Sequence, residues 1–288
     1  MLDVVVYGLL RGATFAAVAF GFSLVTGVLG VVNMAHGVFV VFGALATYSL
    51  HIGLGWSLPL AVAGATLATG AVAAVFQLLF FSRVQTSNPL MVLVQTFALA
   101  IVCGKIFDKT WGAGEKMIRA DVAFYPVIEV GEIIVPTIEV VIFAIAVLSA
   151  AALLVMLNSS VFGRSMRACR DSPRSAALLG IDPKAIYLKT MLVCGLWTGL
   201  AGALLIMIKP VAPYMQMHWT VDAFLIVVAG GMGSIGGVLI AAFLYGVLSY
   251  SASYYYPSIA PALVFGALIL LLVFRPNGLF GLGAVTRK

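Results

Sequence analysis

A succession of mostly apolar runs, each near the length that crosses a bilayer, leaves this chain little choice of fold class. They occupy 4–29, 35–54, 57–81, 89–107, 133–157, 186–208 and 258–274. A spanning helix needs about 20 predominantly apolar residues, so each run is a candidate crossing. A further run, 223–250, is interrupted by AGGMGSIGG, Ala229 to Gly237. Composition agrees: 63% of the residues are hydrophobic and 9% charged, where soluble domains carry about 25% charged residues. The expected fold is an all-α polytopic membrane protein, 1–288 forming one transmembrane domain with about seven or eight spanning helices plus broken or re-entrant segments. No basic n-region or small-residue cleavage site follows Met1, so the first run is expected to be a retained span.

One polar segment stands out. From Asn158 to Lys189 the chain holds Arg164, Arg167, Arg170, Arg174, Lys184 and Lys189 against Asp171 and Asp182. The other long connector carries Asp108, Glu115, Asp121, Glu129 and Glu132 against Lys109, Lys116 and Arg119. Lysine and arginine accumulate on the cytoplasmic side, which places 158–189 inside and 108–132 outside. The net charge of +6 lies near membrane ends, so it speaks for orientation and not for nucleic acid. Arg275, Arg287 and Lys288 also belong inside. A single crossing by 223–250 would strand them outside, so this run is expected to enter, break at its glycines and return. By the same count Met1 lies outside. Irregular backbone at membrane depth needs protein or a water-filled path around it.

Two interruptions are candidates for a translocation path. In GVLGVVNMAHG (Gly27 to Gly37) the carboxamide of Asn33 and imidazole of His36 could line a path or cap a half-helix beginning near Met34. The alternative is a polar surface turn with no ligand contact. A proton relay or metal role for His36 lacks a partner carboxylate or second ligand. In AGGMGSIGG, Gly230, Gly231, Gly233 and Ser234 mark a broken helix beside the path, or a packing face. Gln95 and Thr96 are polar within an apolar run and are expected to bond a neighbouring helix or a solute. Gly8–Gly12 and Gly195–Gly199 read as helix contact faces, and Arg11 as a snorkelling side chain.

Absent motifs narrow the chemistry. No phosphate loop is present, since Gly104-Lys105 lacks the glycine spacing. Cys103, Cys169 and Cys194 have no ligand spacing, so no metal or disulfide framework is expected. No H-E-x-x-H, G-x-S-x-G or paired carboxylates occur within the runs. A membrane enzyme or an ion-coupled carrier keeps ionisable groups at depth, and almost none are evident. The pattern favours transport driven by a partner. Within the basic segment, Pro173 marks a turn between two short helices. The stretch Ala176 to Gly180 would present small and apolar groups to a groove on a soluble partner. A loop that only fixes topology and binds anionic lipid is the competing reading.

RACRDSPRSAALLGIDPKAI resembles the coupling segment of ABC importer permeases of the branched-chain amino-acid (Liv H-type) family. GVVNMAHGVFVVFGA and GGMGSIGGVLIAAFLYGVL resemble that family's N- and C-terminal signatures, and RPNGLFG is similar to its end. The resemblance covers almost the whole length. It implies a type II-like inner-membrane permease, itself non-catalytic, paired with a second homologous permease, two cytoplasmic ABC ATPases and a periplasmic solute-binding protein. ATP and Mg would be used by the ATPases, with no cofactor on this chain. The resemblance puts Arg167, Ala168, Asp171, Ala176, Gly180 and Ile181 on the ATPase-docking element 158–189, with Arg164 and Arg170 beside them. Where the wider importer pattern reads Glu-Ala-Ala, this chain has Arg174, Ser175 and Ala176. The resemblance places Asn33, Ala35, His36, Gly37, Gly230, Gly231, Gly233 and Ser234 on two path-proximal motifs. Branched-chain or other hydrophobic amino acids are the implied solutes. Urea, short amides or aromatic acids are alternatives, and a carrier or channel working without an ATPase is a remoter one.

Overall fold

The computed structural model describes residues 2–82, 89–118, 127–130 and 133–280. Arg119, Asp121, Glu132, Arg287 and Lys288 lie outside the described residues. The helices are α1 (Leu2–Leu29), α2 (His36–Tyr48), α3 (Leu58–Phe76), α4 (Pro89–Trp111), α5 (Thr137–Ser159), α6 (Val161–Asp171), α7 (Pro173–Leu178), α8 (Pro183–Leu205), α9 (Gln216–Gly230), α10 (Ile235–Tyr255) and α11 (Ala260–Phe274). Single π-helical turns, Ser49–Gly53 and Gln77–Phe81, extend α2 and α3. Among the described residues, eight helices are long and apolar enough to cross a membrane, α6, α7 and α9 being too short. One feature was not expected from the apolar pattern. A two-stranded antiparallel hairpin, β1 (Val127–Val130) and β2 (Ile133–Pro136), sits in the acidic connector before α5.

Burial sorts the helices. Of the spanning stretch of α1, 78% is buried within the chain, against 22% for α5 and 17% for 257–274. α1 is therefore the central post, while α5 and α11 turn most of their apolar surface outward. Leu148, Val155, Ile269 and Val273 are exposed, as lipid or a partner's helices would require. Small residues set the close approaches. Gly8 and Gly12 of α1 lie against Val247, Phe243 and Gly246 of α10, and Gly195 and Gly199 of α8 lie against Thr69 and Gly70 of α3. In lipid such crossings gain from dispersion and from backbones approaching closely, since apolar burial drives nothing there.

Two contacts orient the molecule. Lys116 and Val211 exchange backbone hydrogen bonds of 2.9 Å in both directions, so α4 and α8 end on one side, termed outer for the acidic connector it carries, the opposite end being termed inner. At the other end, the corner between α9 and α10 meets Arg170 of the basic segment. The interrupted apolar run does turn back at its glycines, but its inward arm begins at Gln216 rather than 223. That arm is a helix of 15 residues, about 22 Å long, so the break lies at the inner end and not at mid-depth.

Candidate functional site

The inner face is built around the basic segment. Ser160 caps α6, its Oγ accepting from the Gly163 N–H at 3.0 Å, and Gly163, Met166 and Cys169 face the core. Their three-residue spacing leaves Arg164, Arg167 and Arg170 on the outer faces of the helix. Two of these arginines already have partners. Arg167 Nη1 donates to the Leu157 carbonyl at 2.5 Å and Arg164 Nη1 to the Ser159 carbonyl at 3.2 Å. Both carbonyls belong to the last turn of α5, where no intrahelical donor remains and the helix dipole favours a cation. Ser172 is extended, and its Oγ accepts from Ser175 N–H at 3.2 Å as Pro173 opens α7. α7 then ends in a bare apolar tip, with Leu178 87% and Leu179 80% exposed and Gly180 in the left-handed region. Ala176 departs from the expected exposed stretch. Its methyl is buried, and its carbonyl accepts from Ile181 N–H at 3.0 Å, folding the chain back toward α8. Ala168 and Ile181 are half-buried against the core, and Asp171 is exposed.

Beside this segment lies the glycine corner. Gly231 and Gly233 have φ of 100° and 87°, a region open to glycine and strained for other residues. Ser234 Oγ accepts from Gly237 N–H at 3.2 Å and starts α10. The C-terminal stretch Arg275 to Phe280 closes the corner. Leu279 N–H donates to the Ala229 carbonyl at 2.7 Å and Phe280 N–H to the Gly230 carbonyl at 3.2 Å. These are the orphan carbonyls of the α9 C-terminus. Two motifs separated in sequence are thus one structural unit. A cavity of about 280 Å³ runs from Gly27 and Val28 of α1 past Asn158 and Arg167 to Arg170 and Gly233.

The second interruption lies deeper. After α1 ends at Leu29 the chain runs without helix from Gly30 to Ala35, and α2 begins at His36. One His36 ring nitrogen, Nε2, lies 3.0 Å from the Val18 carbonyl, eleven residues or about 16 Å up α1 from its inner end. The six intervening residues therefore climb back alongside α1, within membrane depth. Asn33 is not the cap residue of α2, which is Ala35. Its Oδ1 accepts instead from Ala35 N–H at 2.9 Å, and its carbonyl from His36 N–H at 3.2 Å. Gly37 N–H donates to Thr220 Oγ1 at 2.8 Å, and Met34 N–H to Thr96 Oγ1 at 3.0 Å. The donors that an opened helix start would offer a solute are taken up by α4 and α9. Asn33, Ala35 and His36 are fully buried. Gln95 Nε2 donates to the Phe80 carbonyl at 3.3 Å. The path candidates thus form two clusters, Asn33 to Gly37 with Thr96 in the interior and Gly230 to Ser234 at the inner corner.

A third cluster escaped the sequence reading. Asp222 in α9 is 2% exposed, its Oδ1 accepting from Tyr245 Oη at 2.7 Å and its Oδ2 lying 3.5 Å from His218 Nε2. The chain thus keeps a buried carboxylate just outside the apolar runs. His218 and Asp222 at i and i+4 were a visible signal, and Asp222 lies one residue before the 223–250 run.

Residues 4–273 match the family described as the branched-chain amino acid transport system permease component. The chain belongs to that permease family. LivH of Escherichia coli K12, a high-affinity branched-chain amino acid transport system permease protein, is 28% identical over 294 residues, covering 95% of this chain and 93% of LivH. BraD of Pseudomonas aeruginosa, described likewise, is 27% identical, covering 97% of this chain and 95% of BraD. A probable branched-chain amino acid transport permease, LivM of Methanocaldococcus jannaschii, is 29% identical over 139 residues, 43% of this chain and 40% of LivM. The comparison with solved structures gave no match. The permease is thus a multi-pass membrane protein of a transport system, with α1 to α5, α8, α10 and α11 its candidate spans by length and apolar composition.

Proposed function

We propose that this chain is the non-catalytic permease subunit of an ATP-driven importer for branched-chain or other hydrophobic amino acids. It forms the translocation path with a second homologous permease and is driven by two cytoplasmic ATPases that use ATP and Mg. A solute-binding protein delivers the solute from outside. The observation that carries this reading is the exposed Leu178–Leu179 tip on a basic collar at the inner face. Two adjacent exposed leucines call for an apolar partner, and the similarity of the segment to a permease coupling element favours a protein groove over the anionic lipid surface that Arg174 and Lys184 could also meet. A hydrophobic groove on a cytoplasmic partner accepts both features. Partial similarity to LivM as well as to LivH supports pairing of two related permeases.

In this mechanism, α6 and α7 move with the ATPases, and Arg170 carries the movement to the corner between α9 and α10. The energy comes from the different affinity of the ATPases for ATP in the two states of the cavity. Co-expression with ABC ATPase subunits of a branched-chain amino-acid transport system tests the docking. Leu178→Glu and Gly180→Trp should leave the permease folded in detergent and abolish both ATPase co-purification and leucine uptake into vesicles. Unchanged co-purification by both variants would show that α7 is not the docking element.

A further inference from the structure

A cavity of about 290 Å³ opens near the outer ends of α1, α9, α10 and α11, away from the inner corner. Lys209 and Asp222 both line it, carry opposite charge and do not pair. Among the described residues the ion pairs within bonding distance are Lys105–Asp108 and His218–Asp222. The Lys209 ammonium instead lies 5.2 Å from the ring centre of Phe15 and 6.0 Å from that of Trp219. It makes no hydrogen bond among the described residues, so its three donors are free. Asp222 is held by Tyr245 and His218, yet each carboxylate oxygen keeps a lone pair for another donor. The lining also holds an apolar set, Phe15, Val264 and Phe265, together with the hydroxyls of Ser249 and Ser253. A separated cation and anion facing one small cavity with an apolar wall complement a zwitterion that carries an apolar side chain. The volume is at the small end of the roughly 300–1,000 Å³ of ligand sites, suited to one amino acid.

We infer that this cavity is an outer solute subsite for a small apolar amino acid. Lys209 receives the carboxylate, Asp222 the α-ammonium, and the Phe15–Val264–Phe265 wall the side chain. The inference rests on the reading of the chain as an amino-acid permease, and it places first contact with solute in a region that neither glycine-containing motif marks.

Photolabelling of the assembled transporter with a diazirine-bearing leucine analogue tests it, with labelled peptides mapped by mass spectrometry. Labels should fall on α1 and α11 around Phe15 and Phe265. Leucine should compete, and leucinol and isovalerate, each lacking one charged end, should compete at least tenfold less well. Lys209→Gln should reduce labelling about tenfold, as loss of a charge-assisted bond implies. Ser253 is exposed at the cavity edge, so Ser253→Trp should block labelling without disturbing the fold, with ATPase-complex yield as the check. If the wild-type complex imports leucine but labelling maps elsewhere, or both variants label normally, the subsite is overturned while the transport reading stands. If the complex imports no amino acid, the transport reading falls and the subsite with it.

Discussion

The guanidinium of Arg170, in the last turn of α6, rests against Gly233 in the corner between α9 and α10. A β-carbon on Gly233 would lie 2.9 Å from Arg170 Nη1. The contact joins the surface proposed to meet the ATPase to the non-helical corner between α9 and α10. Gly233→Ala places a side chain at φ 87° and pushes Arg170 away. Strain of that kind costs about 1–3 kcal/mol. The variant should still assemble with the ATPases and hydrolyse ATP, while leucine uptake falls at least tenfold. Parallel loss of assembly and uptake would instead make Gly233 a folding residue only.

The tail should matter for stability rather than for coupling. Gly278 has φ 78°, and a β-carbon there would lie 2.6 Å from both Gly231 N and Val228 O. Gly278→Ala should therefore lift Leu279 and Phe280 off the end of α9 and leave two carbonyls unpaired. An unsatisfied buried polar group costs about 1–3 kcal/mol. A lower thermal midpoint in detergent, with proteolysis starting at the α9–α10 corner, is the expected outcome. An unchanged midpoint would show that the tail is not a cap.

How much of this was legible beforehand depends on the range of each interaction. Bilayer thickness acts on every span locally, so the apolar runs marked their helices and missed mainly at the ends. Pro173 acts on its immediate neighbours, so the turn between the two short helices followed from it, while the caps of Ser160 and Ser172 came only with the structure. Charge balance was enough to turn the 223–250 run back. Other features depend on residues far apart in the chain. Leu279 capping Ala229, Arg167 capping Leu157 and Tyr245 holding Asp222 have no periodic trace. The same is true of His36 meeting Val18. That contact requires the chain to double back after Leu29, and a run of apolar residues with two polar ones cannot distinguish such a return from a surface turn.

The interior start of α2 gives a sharper test of one hydrogen bond. Thr220 Oγ1 accepts from Gly37 N–H at 2.8 Å and lies 2.9 Å from the Gln216 carbonyl and 3.2 Å from that of Met34. Thr220→Val keeps the shape and strands the Gly37 donor in the protein interior, at about 1–3 kcal/mol. Thr220→Ser keeps the hydroxyl and should lose far less. Denaturation midpoints of the two variants in the same detergent should differ in that order. Equal loss by Ser and Val would mean that the γ-methyl packing, and not the bond, holds α2 to α9.

The outer cavity makes a pH prediction with a definite sign. Lys209 lies beyond the end of α8, two residues before the Val211 strand contact. Burial pushes its ammonium down to about 8, neighbouring Arg11 adds to that, and Asp222 and Glu139 oppose it. The charged and titratable side chains around it are Arg11 on α1, Glu139 on α5, His218 and Asp222 on α9, and Tyr245 on α10. A carboxylate binds the protonated amine, so labelling by the leucine analogue should fall as pH rises from about 7 through 8. Arginine stays charged throughout this range. Lys209→Arg should accordingly keep whatever labelling it has up to pH 9, where the wild type has lost most of its own. The analogue's own amine loses charge at higher pH in both proteins alike, so the ratio between them isolates Lys209. A ratio that does not change between pH 7 and 9 would remove Lys209 from solute recognition.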